Sequence, residues 1–62
     1  MRMITDEAKQ ELVFNLSRQA SMLENNAEKL IELFGDEFEE QSTALLYAAK
    51  DTRIMINIIN AK

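Results

Sequence analysis

The stretch Leu30–Glu39, LIELFGDEFE, holds the only glycine of a 62-residue chain that has no proline. Gly and Pro are the strongest local interruptions of regular structure, so one interruption near the middle predicts one turn and two unbroken elements. Gly35 suits the left-handed position just past a helix C-terminus. Asp36 followed by Glu39 has the form of a capping-box start for a second helix. The expected architecture is all-α: an antiparallel two-helix hairpin filling one domain over residues 1–62. Its helices run over about 5–34 and about 37–61, with the turn at 35–36.

Upstream of the turn, Val13, Leu16, Ala20, Leu23, Ala27, Leu30 and Phe34 alternate spacings of three and four. That is an unbroken heptad seam, which Leu12, Ile31 and Leu33 widen. Thr5 or Asp6 can cap this helix, and Glu7 is well placed in its first turn. The opposite side is polar, with Ser17, Arg18, Ser21, Asn25 and Lys29. Phe14 and Met22 lie off the seam and read as scattered surface apolarity.

Downstream, Phe38, Leu45, Ala49, Thr52, Ile56 and Ile59 form a matching stripe. Folding back at Gly35 sets Phe34 near Phe38, Ala27 near Leu45, and Leu23 near Ala48 and Ala49, so that large residues meet small ones, with Val13 near Ile59 further out. The segment Ile54–Asn60, IMINIIN, is rich in β-branched residues and has strand propensity. No breaker separates it from the residues before it, and helix is the expected state.

The second helix carries more apolar surface than one neighbour can cover. At ~100° per residue its apolar positions spread over roughly 240° of circumference. Besides the inner stripe there is an outer one at Ala44, Tyr47, Ile54, Met55, Ile58 and Ala61, with Asp51 inside it. The polar sector shrinks to Glu39, Ser42, Lys50, Arg53, Asn57 and Asn60. An exposed patch of that kind marks an interface. Self-association through Ala44, Tyr47, Asp51, Ile54, Met55 and Ile58 is expected, two hairpins making a dimeric four-helix bundle. Asp51 either fixes register against Lys50 or Arg53 of another chain or sits solvated at the rim.

Charge is unevenly placed. Between Glu24 and Glu40 seven acids face a single base, Lys29, a balance of −6, while the rest of the chain is at +2. Folded back, the chain becomes a rod with one acidic tip. Glu24, Glu28, Glu32, Asp36, Glu37 and Glu40 form either a solvated face or a docking site for a basic protein partner.

Several classes of chemistry are set aside. Cysteine and histidine are both absent, which removes disulfides and the commonest zinc ligand and general base. No phosphate loop or Ca²⁺ loop is present, and Ser17, Ser21 and Tyr47 have no base beside them. No catalytic, cofactor-binding or metal-ligating set is assigned, and the chain reads as non-enzymatic. A net charge of −4 opposes direct nucleic-acid binding. The longest apolar run, Ala44–Ala49, is far short of the ~20 residues of a membrane span. The opening MRMITDEAK lacks the apolar core of a secretion signal, which gives a cytoplasmic expectation. The functional expectation is a homodimeric, non-catalytic interaction module or regulator. The alternative is an acidic inhibitor, acting as an antitoxin would, that imitates nucleic acid and occupies a basic groove.

Overall fold

A computed structural model describes residues 5–62, and the first four residues of the opening stretch discussed above lie outside it. Helix α1 spans Asp6–Phe34, a 3-10 segment spans Gly35–Phe38, and helix α2 spans Glu39–Asn60. Helical backbone of one kind or the other thus runs through 55 consecutive residues, and no strand occurs among the described residues. Laid straight, such a run would measure roughly 82 Å at the α-helical rise. The longest dimension of the molecule is 47 Å, close to that of α1 alone, and its cross-section is 16 × 14 Å. The chain therefore turns back on itself at Gly35–Phe38, and α2 returns along α1.

Thr5 caps α1 as the sequence suggests: its Oγ1 accepts a hydrogen bond from the Ala8 N–H at 3.1 Å. Asp6 and Glu7 occupy the positive end of the helix dipole. At the other end Gly35 has φ 62° and ψ −130°. The positive φ agrees with the expectation of glycine at this point. The ψ does not, because a left-handed helical residue has ψ near +47°. This combination belongs essentially to glycine.

The start of α2 departs from the expected capping box. Phe38 precedes the helix and provides no side-chain cap, nor does Asp36. Asp36 is instead drawn into the 3-10 segment, where its carbonyl accepts from the Glu39 N–H. The turn is two residues longer than predicted, and its orphan donors are met by tightened backbone bonds, a common device at helix ends. Phe34 and Phe38 brace it across the reversal with ring centroids 5.0 Å apart and planes at 83°. That edge-to-face arrangement suits two ring quadrupoles.

Ile54–Asn60 is helical, as the last part of α2. Ile56 and Ile59 are half-buried, so packing of the amphipathic face outweighs β-propensity.

Small residues form the core. Ala20 and Ala27 are wholly buried, at 0% exposure, and Ala49 is at 1%. Val13, Leu16, Leu23 and Leu30 of α1, with Leu45, Thr52, Ile56 and Ile59 of α2, are half-buried around them. Ser42 is a correction: placed in the polar sector by its hydroxyl, it is 3% exposed. It fills the gap between Phe38 and Leu45, so the inner seam of α2 repeats without interruption at 38, 42, 45, 49, 52, 56 and 59. Its Oγ donates to the Phe38 carbonyl at 3.0 Å, and the Thr52 hydroxyl donates to the Ala48 carbonyl at 2.8 Å. Each seam hydroxyl is thereby satisfied within its own helix, and burying it carries little cost.

Candidate interaction surface

The face of α2 turned away from α1 is set by the same periodicity that builds the seam. With positions 42, 49 and 56 turned inward, residues two positions on come out on the far side of the cylinder. Ala44, Tyr47, Asp51, Ile54, Met55, Ile58 and Ala61 are all exposed there. Tyr47 keeps 63% of its surface and Ile58 keeps 56%, with Ile54 and Met55 close to half. The structure thus places the six residues singled out for self-association on one continuous, open, apolar strip. Leu12 and Leu33 of α1 are also exposed.

The acidic tip is less free than its composition suggests. Glu24, read from the sequence as part of a solvated or docking face, is tied into the fold. Arg53 donates to it twice, from Nη2 to Oε1 at 2.6 Å and from Nε to Oε2 at 3.1 Å. This bidentate pair joins α1 to α2, the fork geometry matching the carboxylate. Hydrogen bonding by the Arg53 guanidinium holds the Glu24 carboxyl below its ordinary pKa, and Glu24 raises that of Arg53 in return. Both side chains stay partly open to solvent, so the contact orients the helices more than it strengthens their union.

Sequence reading assigned Arg53 to the polar sector, or to Asp51 of another chain, and missed this partnership. A signal was present. Glu24 and Arg53 each directly follow a seam residue, Leu23 and Thr52, which puts both on the flank of the same interface. Glu32 is 3.5 Å from Lys29 within α1. Among the tip residues, Glu28, Asp36, Glu37 and Glu40 remain exposed around the turn without a described ion pair.

Phe14, off the seam as predicted, lies under the Arg18 guanidinium at 5.8 Å. That is a cation–π distance, and it accounts for an aromatic ring on an otherwise polar side. No group of three or more acidic side chains among the described residues could hold a metal ion. No described helix is long and apolar enough to cross a membrane.

The strip is an extended apolar surface on α2; Ile31, Phe34 and Leu46 form a further exposed apolar group near the turn. Known protein families, characterised proteins and solved structures yield no match to this chain. Its surface must speak for itself. Measured as area, that surface is excessive: the chain exposes 5329 Å², whereas the mass scaling for a compact monomer of 7.2 kDa gives roughly 4100 Å². Elongation contributes to the difference. The area is that of a thin rod, and it leaves room for the ~800 Å² that each partner gives to a standard interface.

Proposed function

We propose that this protein is a non-catalytic interaction module, an antiparallel helical hairpin that dimerises into a four-helix bundle through the outer face of α2. The observation that carries the reading is the apolar strip from Ala44 to Ala61, open along its whole length. The in-chain Glu24–Arg53 pair and the 47 Å long dimension support the hairpin. A core made of three alanines and a serine explains why one hairpin is not enough. Small side chains bring helices close but bury little apolar area, and chains of this size need extra burial. The acidic-mimic reading loses part of its motive, since Glu24 and Glu32 are paired inside the chain.

Sedimentation equilibrium tests the reading. The native chain is expected to sediment at twice its 7.2 kDa mass. Ile58→Glu sets a charge in a desolvated seam and should weaken assembly by about 3–5 kcal/mol, the scale of an uncompensated buried charge. A native chain that stays at 7.2 kDa at high concentration refutes the proposal.

A further inference from the structure

We infer that the two copies pair antiparallel along α2, about a two-fold axis passing between Thr52 and Arg53. This rests on the proposed dimer and adds its orientation and register. Three independent observations point the same way.

The first is the pattern of side-chain size along the strip. Ala44, Tyr47, Asp51, Ile54, Ile58 and Ala61 repeat at spacings of three and four, a second heptad seam on the back of α2. Read from either end the seam begins with alanine and then a bulky residue, Tyr47 or Ile58, and the register that overlaps all six positions is the one centred between Thr52 and Arg53. A two-fold interface must be complementary to itself. Reversing one copy about the stated axis sets Ala44 against Ala61, Tyr47 against Ile58 and Asp51 against Ile54.

The second is Asp51. In a parallel pair of equal register it would face its own copy, two carboxylates opposed in an apolar seam. Like charges so placed repel one another and are costly to desolvate. The antiparallel register faces each Asp51 with an isoleucine, offsets the two carboxylates by three residues, roughly 4.5 Å, along the axis, and brings Lys50 of the partner within about one helical turn of each.

The third is the charge of the whole rod. The turn end carries −6 and the remainder +2. A parallel dimer would hold two acidic tips side by side at a helix-packing distance of about 8–10 Å, close to one Debye length at physiological salt, where their repulsion is only partly screened. The antiparallel dimer sends the tips to opposite ends of the assembly and lays each partner's less acidic half between them.

The absence of cysteine makes disulfide trapping a clean test. Tyr47→Cys and Ile58→Cys chains are mixed, allowed to re-equilibrate under reducing conditions and then oxidised. In the inferred register, position 47 lies 11 residues from its own copy along the axis, about 16 Å, beyond the ~7 Å limit for a disulfide. The expected result is a crosslinked mixed dimer from the mixture, with no crosslinked dimer from either variant alone. Ala44→Cys with Ala61→Cys, which leave the large residues in place, should behave the same way. Crosslinking of each single variant to itself means a parallel pair and overturns the inference. No crosslink in any mixture, while sedimentation shows a dimer, places the interface elsewhere and overturns it too. If the native chain is monomeric, the proposed dimer itself has failed, and the orientation fails with it.

Discussion

Replacing Ala27 with leucine separates two opposite expectations for the core. Ala27 is 0% exposed, on the inner line of α1. If the helices had room to accommodate the longer side chain, three extra buried carbons would stabilise the fold by about 2.4 kcal/mol, at ~0.8 kcal/mol each. Helix propensity would hardly matter, since Leu ranks next to Ala. The structure argues for the opposite sign. Ala20, Ala27, Ala49 and Ser42 are the only buried residues of the described chain, and the larger seam residues are only half-buried around them. Small side chains therefore fix how closely the helices approach. Ala27→Leu must push them apart and strip contacts from its neighbours, and overpacking of that kind costs about 1–3 kcal/mol. For a chain of this size each kcal/mol moves the midpoint by about 4–8 °C. Thermal unfolding followed by circular dichroism, at one fixed protein concentration because assembly is coupled to stability, should show a midpoint lowered by several degrees. A raised midpoint would refute close packing through alanine, and with it the account of why the hairpin needs a second copy.

Two further substitutions probe the turn and the flank. An added Cβ at Gly35 would meet nothing within 4 Å, and φ is +62° there, so Gly35→Ala isolates backbone strain. It should lower stability by about 1–3 kcal/mol in urea titration, and an unchanged midpoint would show that the reversal does not need glycine. Because Arg53 depresses the pKa of Glu24, this pair contributes stability above the ordinary carboxylate range and loses it as pH falls through the lowered folded value. Glu24→Gln should therefore melt below the native chain near neutrality, with the two converging in acid. A gap that stays constant with pH would mean that the ion pair contributes nothing.

Periodicity made the seams legible from sequence, because one face of each helix repeats strictly at threes and fours. The same spacing pointed to position 42, and the misassignment of Ser42 came from weighing its hydroxyl above its place in the repeat. Its donor is satisfied by the Phe38 carbonyl, so polarity was no obstacle to burial. The capping box failed for a different reason. Asp36 has the right chemistry, but the reversal consumes four residues as a 3-10 turn, and the helix begins at Glu39. Glu24 and Arg53 are 29 residues apart, and only the register of the folded pair brings them together. Local rules about exposed acids could not reveal that Glu24 is tied to the opposite helix. The outer strip was readable as excess apolarity, but its occupant was not, because nothing in a single chain records a second copy.

The place of the reversal also governs the order in which the chain can be assembled in time. Phe34 and Phe38, four residues apart, close almost no loop when their rings meet. Glu24 and Arg53 enclose 29 residues. Formed first, that contact would carry roughly 1.8 kcal/mol more closure entropy than the aromatic one. Formed after the turn, it closes only the short span left by the layers already in place. Contacts therefore become cheaper to make when they zip outward from the phenylalanines, and the free ends of α1 and α2 join last. The low sequence separation of the contacts near the turn belongs to the rapid regime of helical topologies.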